Sequence, residues 1–247
     1  MAVASSDLVI YVAANMPEDN TSTAGGAIDS GVRASFDDPS SAVQLKVYSA
    51  DAADTSQTLT VTGRNAGGSI VSEGISLNGT TEVTSSNTYE RILKTYLSAT
   101  AAGAVTVSGN GANKITDIPV GETGFRRPFY DATAQIGSSK TYYEKVFIKN
   151  NNATSTLNNA TVIEVSSGLY SKIDFAREDS KQSSQTISNR EAVPTGVTGG
   201  FGVGPSGMVS DELTAGDYQG IWLKLSLGAG EAAANSYYEV QISGTTA

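Results

Sequence analysis

The 247-residue sequence contains no cysteine and no histidine. The first absence removes disulfides, thiolate nucleophiles and cysteine-based zinc sites. The second removes the commonest general base and, with it, any Ser–His–Asp arrangement. Charge is scarce too, at 17% of residues, so Ser, Thr, Asn and Gln must finish the surface. Surface helices favour Glu, Lys and Arg, whereas strands and turns accept short hydroxyl side chains. Basic residues are the minority, 16 against 25 acidic, for a net charge of −9. An acidic chain gains no counterion release from a phosphate backbone, so nucleic acid is not expected as a partner.

Long apolar runs are also missing. Leu8 to Ala14 is apolar, but no Lys or Arg precedes it and Asp7 stands at its start. That is a poor match to a signal peptide, and nothing approaches the roughly 20 apolar residues of a membrane span. The expectation is a soluble, unprocessed chain with no membrane contact. Lack of cysteine leaves the compartment open.

What is present fits a folded β protein. Apolar residues make up 39%, and the 26 glycines bring the total to a globular composition. The length accommodates two modules of about 100 residues, each able to bury a core without metal or disulfide. Val43, Leu45 and Val47 alternate with polar residues, as do Leu59 and Val61, Ile75 and Leu77, and Val105 and Val107. A period of two places each set on one face of a pleated strand. Asn65–Gly68, Asn78–Gly79 and Gly109–Gly111 punctuate these runs, and Asn-Gly is a strong hairpin signal because both residues tolerate positive φ. Tyr89, Ile92, Leu93 and Tyr96 fall at helical spacing, yet the run Thr88–Ser98 is short and Thr/Ser-flanked, and is read as strand.

Later strands are expected around 143–149, 161–165, 173–175, 221–227 and 237–242. The stretch 193–207, with six glycines and two prolines, reads as a long surface loop. The fold expected is all-β: an extended N-terminal arm over 1–40, a first antiparallel β-sandwich over 41–122 and a second over 123–247. The arm either pairs as an edge strand on its own sandwich or reaches a neighbouring subunit by strand addition.

Candidate functional residues are few. Asp37–Asp38, Asp51 with Asp54, Glu178–Asp179 and Asp211–Glu212 could be paired carboxylates of a glycosidase or ligands for Ca²⁺. None sits on a recognisable cleft-forming element and no EF-hand spacing occurs, so they read as loop charges. No catalytic residue, metal site or cofactor is assigned. Interface candidates are Leu8, Ile10 and Val12 on the arm, and the basic-aromatic group Phe125, Arg126, Arg127 and Phe129, for which the competing reading is that the arginines neutralise nearby acids while the phenylalanines pack in the core. Trp222, the sole tryptophan, lies on the face opposite Ile221, Leu223, Leu225 and Leu227, so it is either exposed or covered by a loop. With Tyr218, Tyr237 and Tyr238 it could make a sugar-stacking platform; packing against a neighbouring strand or loop is the competing reading. Four Asn-x-Ser/Thr matches, at Asn20, Asn78, Asn152 and Asn159, are read as chance in an Asn-, Ser- and Thr-rich chain. Gly200–Gly204 neither follows a clear strand nor opens a helix, so it is not read as a phosphate loop.

Two segments carry a resemblance. Thr141-Tyr-Tyr-Glu-Lys-Val-Phe-Ile-Lys-Asn150 and Leu213-Thr-Ala-Gly-Asp-Tyr-Gln-Gly-Ile-Trp-Leu-Lys224 resemble strands of Ig-like modules in tailed-bacteriophage virion proteins. Thr58–Gly63, Ile75–Gly79 and Tyr89–Lys94 resemble the module that often precedes them, so the likeness covers most of residues 43–243. It implies Ig-like sandwiches and a non-enzymatic particle component, assembled in the host cytoplasm and carried in the virion. A head decoration (cement) protein is the leading expectation; a tail or baseplate component binding host carbohydrate or receptor is the alternative. The partners implied are the major capsid protein or other virion proteins, with a homo-oligomer, above all a trimer, suiting capsid symmetry. The resemblance supplies no catalytic residue.

Overall fold

The computed structural model describes residues 2–34, 36–109, 114–167, 172–202, 206–207, 211–231 and 238–246. The Asn110–Gly111 turn, Tyr237 and Gly204 lie outside them. Among the described residues the structure is all-β, with a 3-10 turn at Ser5–Asp7. The chain forms two compact units, residues 1–29 with 129–247 and residues 30–128.

The strands, in chain order, are β1 (Leu8–Asn15), β2 (Ala24–Arg33), β3 (Val43–Ser49), β4 (Thr58–Arg64), β5 (Ile70–Ser76), β6 (Val83–Tyr89), β7 (Arg91–Leu97), β8 (Val105–Gly109), β9 (Lys114–Ile118) and β10 (Gly124–Arg126). They continue with β11 (Lys140–Asn150), β12 (Leu157–Ser167), β13 (Ile173–Lys181), β14 (Thr186–Ile187), β15 (Val197–Gly202), β16 (Ser206–Gly207), β17 (Glu212–Leu213), β18 (Tyr218–Leu227) and β19 (Tyr238–Thr246). The unit boundary falls within β2.

In the 30–128 unit, β10, β7, β4 and β5 follow one another in one sheet, and β6, β3, β8 and β9 form another. The alternating positions of both sheets meet in one core: Leu45, Val47, Val105 and Val107 face Leu59, Val61, Ile92 and Leu97. The Asn65–Gly68 hairpin forms between β4 and β5, with the Asn65 carboxamide oxygen accepting from the N–H groups of Gly67 and Ser69. The stretch Thr88–Ser98 is strand on both sides of a break at Glu90. Its i, i+3, i+4 coincidence arises because a bulge at Leu93 interrupts the alternation of β7. The unit runs past residue 122, because Gly124–Arg126 inserts as β10 beside β7.

In the other unit the order is β15, β13, β18, β11, β1 and the start of β2, while β12 pairs with β16, β17 and β19. β1 is not a free arm. It lies between β11 and β2, with Leu8 opposite Asn150, Ile10 opposite Ile148 and Val12 opposite Val146. Of the two readings of this segment, pairing within its own chain is the one observed, and in an interior position instead of at an edge. The glycine-rich 193–207 stretch likewise departs from the expected loop, since β15 pairs with β13. Glycine weakens a strand, but an edge strand with a bulged register tolerates it. Val197 and Phe201 supply the reason to pair, because they pack over Trp222 and its neighbours.

A single buried carboxylate organises one end of the 30–128 unit. Asp54 accepts hydrogen bonds from the Ser49 hydroxyl at 2.5 Å, from the N–H groups of Ala102 and Gly103 at 2.9 Å each, and from the Gln57 amide at 3.2 Å. These donors, Ser49 foremost, hold its pKa below the ordinary carboxylate value against the opposing effect of burial. A depressed folded-state pKa contributes stability that is present above the unfolded value near 4 and is lost as pH falls through the folded one. Asp54→Ala is expected to destabilise the protein by about 2–3 kcal/mol, because it strands two buried N–H donors. Urea titrations from neutral pH down to about pH 2 should show the wild type losing part of its advantage over the variant only below the usual carboxylate range.

Candidate functional site

The most concentrated chemistry in the molecule sits on β11, a strand buried over almost its whole length. Its ten-residue antiparallel pairing with β18 runs from Lys140 opposite Leu227 to Lys149 opposite Tyr218. Glu144 and Lys145 lie in the middle of this strand and, being adjacent, project to opposite faces. Each therefore needs its own counter-charge, since an ionised group taken out of water is costly unless paired and hydrogen-bonded.

Lys145 is 0% exposed and Glu178, on the neighbouring segment of β13, is 1% exposed; their charged atoms are 2.8 Å apart. The ammonium also donates to the carbonyls of Gly26 (3.1 Å), Ser183 (3.0 Å) and Gln185 (3.3 Å), and lies 4.6 Å from the centre of the Phe147 ring. The Trp222 indole N–H donates to Glu178 at 3.0 Å. Burial pushes the Lys145 pKa down and the Glu178 pKa up, while their mutual pairing opposes both shifts. Two glycines make room. A Cβ on Gly220 would lie 2.0 Å from Glu178 Oε2, and one on Gly25 would lie 2.7 Å from the Trp222 ring, where φ is also +97°.

On the other face, Arg190 bridges two acids, Glu144 at 3.0 Å and Asp131 at 2.6 Å, and stacks 4.9 Å over the Tyr142 ring. The second Glu144 oxygen accepts the Phe129 N–H at 3.0 Å. Phe129 itself has φ +57°, an uncommon conformation for a bulky side chain, and packs against Tyr142, Ile173 and Leu225.

The interface candidates are thus placed as follows. Trp222 is 0% exposed, enclosed by Ala24, Tyr143 and Ile187, so the indole has no face on which a sugar could stack. Phe125 is buried in the core of its own unit and Val12 is buried in its sheet, while Leu8 and Ile10 are half-buried. Arg126 is buried. Arg127 binds Asp38 at 2.6 Å and lies 4.7 Å over the Phe36 ring. Phe125, Val12 and Trp222 are therefore taken up by internal packing, and Phe129 is half-buried against Tyr142 and its neighbours.

In three of the four carboxylate pairs one member is bonded internally. Asp38 holds Arg127 and the Ile92 N–H, Asp54 holds its loop, and Glu178 holds Lys145. Among the described residues no group of three or more His, Cys, Asp or Glu is arranged to hold a metal ion. No helix of the described residues is long and apolar enough to cross a membrane. Sequence reasoning missed Lys145 and Arg190. The available signal was Glu144-Lys145 set inside an otherwise apolar β run, which in a strand covered on both faces demands two buried partners.

Comparison with protein-family models, with curated proteins and with solved structures found no match.

Removing one member of the buried pair should cost far more than removing both. Lys145→Met is expected to destabilise by about 3–5 kcal/mol, since it leaves Glu178 buried and unpaired, and Lys145→Met/Glu178→Met should recover most of that loss. Gly220→Ala, which forces the Glu178 carboxylate aside, should cost about 1–3 kcal/mol. Denaturant titrations followed by Trp222 fluorescence report all three, because the indole is bonded to Glu178.

Proposed function

We propose that this chain is a non-enzymatic structural component of a tailed-phage particle, a head decoration (cement) protein built on Ig-like sandwich modules. One observation carries the reading. The two segments that resemble virion Ig-like strands, Thr141–Asn150 and Leu213–Lys224, come together as the paired strands β11 and β18 at the centre of one unit. Segments far apart in sequence thus form one structural element, as expected if they belong to a common module.

The side-chain chemistry fits a scaffold. Lys145, Glu178, Glu144 and Arg190, the charged groups gathered most tightly, are buried and bonded to one another or to backbone, which rigidifies a sheet and leaves no reacting atom for a substrate. Binding to a shell would rest on many copies, each contributing a weak contact. A millimolar contact is worth about 4 kcal/mol, and linking several raises the apparent affinity by roughly 10²- to 10⁴-fold. The carbohydrate-binding alternative for a tail or baseplate loses the platform proposed for it, because Trp222 is enclosed.

Particles purified by density gradient from a culture encoding this chain should carry it in many copies, detected by antibody and by mass spectrometry. Cryo-electron microscopy should then place it on the head exterior. A protein that stays with free cellular proteins at the top of the gradient, or a purified sample that hydrolyses host polysaccharide, would reject the proposal. Density on the tail would reject the cement role alone.

A further inference from the structure

The charge of this protein is unevenly divided. Residues 1–29 and 129–247 hold sixteen acidic and eight basic side chains, whereas residues 30–128 hold nine and eight. Within residues 30–128, three of the eight basic residues, Arg64, Arg91 and Lys94, share one sheet face. The register of β4, β5 and β7 sends Leu59, Val61, Ile75, Thr95 and Leu97 inward, so the alternate positions form the outer face. That face consists of Thr58, Thr60, Thr62 and Arg64 on β4, Ile70, Ser72, Gly74 and Ser76 on β5, and Arg91, Lys94 and Tyr96 on β7. The Thr62–Ser72 hydroxyl contact at 3.0 Å confirms the shared side.

No Asp or Glu stands among these residues, although the chain as a whole is acidic. Arg64 and Arg91 sit directly opposite one another, an arrangement that costs stability in an antiparallel pair. Arg127 adds a third guanidinium close enough to lower the Arg91 pKa, after burial as the leading cause. The carboxylate beside them, Asp38, is bonded to Arg127, and Glu90 stands at the break before β7. Two large side chains open onto the same face, Tyr96 at 56% and Ile70 at 58% exposure. A flat sheet face combining like charges held together with an exposed aromatic and an exposed aliphatic residue has the composition of a contact surface.

We propose that this outer face of β4, β5 and β7 docks onto the acid-rich unit of a second copy of the chain, head to tail. The inference rests on the charge and the exposed apolar side chains of this face and holds whether or not the protein belongs to a phage particle. A second copy fits because the surplus of eight carboxylates in residues 1–29 and 129–247 is opposite in sign to the cations of this face, and it is present at the same concentration. Seven-residue strands at the usual rise and spacing give a patch of about 350 Å². A stable interface buries about 800 Å² per partner, so the contact is weak, fast and salt-sensitive. Joining unlike surfaces, it is a heterologous contact, of the kind that builds rings or open chains.

Sedimentation of the full chain at about 0.2 mM tests this, with low salt near 0.02 M compared with high salt near 0.5 M. At low salt the average mass should exceed that of the single chain, and at high salt it should return to it. Arg64→Glu/Arg91→Glu should stay single at both, with its melting curve checked by circular dichroism. Thr60→Glu, at an exposed central position, is the second variant should the double one unfold. A wild type that is single at both salts overturns the proposal, as does association that survives both variants. Retention on heparin without self-association also overturns it and assigns the face to a polyanion.

Discussion

The buried pairing of β11 with β18 sets the terms for everything around it. A strand in this position is covered on both faces, yet β11 carries a carboxylate and an ammonium at consecutive positions. Ionised groups in a low-dielectric interior cost several kcal/mol each unless partners are fixed in place. The partners therefore dictate the path of the covering segments. Lys145 gathers the carbonyls of Gly26, Ser183 and Gln185, tying the turn after β13 and the start of β2 onto one face. Arg190 gathers Glu144 and Asp131 on the other and accounts for the approach of the Phe129 segment. Loops that would otherwise be held only by apolar contact are fixed by charge.

This explains where glycine occurs in the site. Gly220 faces the Glu178 carboxylate at a distance that admits no side chain, and Gly25 combines positive φ with close approach to the Trp222 ring. Both are requirements of the ion pair and its indole donor, so neither glycine is there for turn formation. The other unit solves the same problem differently. Its core is apolar and shared by two sheets, and its most deeply buried carboxylate, Asp54, is bonded by hydroxyl, amide and N–H dipoles. Dipoles suffice there because Asp54 sits at a loop, where backbone N–H groups of Ala102 and Gly103 are available; in the middle of β11 they are already engaged in the ladder.

The strands with strict alternation were legible from sequence. Val43–Ser49, Thr58–Arg64 and Val105–Gly109 show a period of two because one face meets the core and the other meets water. β11 was recognised as a strand, but the roles of its charges were not, since a doubly buried strand carries no periodic signal by which to tell its faces. β15 was read as loop because local propensity condemned its glycines; Phe201 and Val197 covering Trp222 override that propensity. The opposition of Trp222 to Ile221, Leu223 and Leu225 was correct, and what sequence could not supply was the identity of the cover. The position of Leu8–Val12 depended on a partner more than 130 residues away, a contact that local pattern does not encode.

A structural role and this distribution of charge are mutually consistent on physical grounds. Placing the strongest ionic interactions inside the sheets removes them from salt and from solvent competition, so the modules keep their shape in any ionic environment. What remains outside is largely hydroxyl and amide, with exposed ion pairs such as Lys46–Glu82 and the cations on the outer face of β4 and β7, and these offer contacts that are weak and salt-sensitive. The structural role we propose calls for firm modules and weak contacts. Weak contacts are an advantage when many copies must find equivalent positions, because misplaced copies can leave before neighbours trap them. Stability then comes from the number of contacts and not from the strength of any one of them.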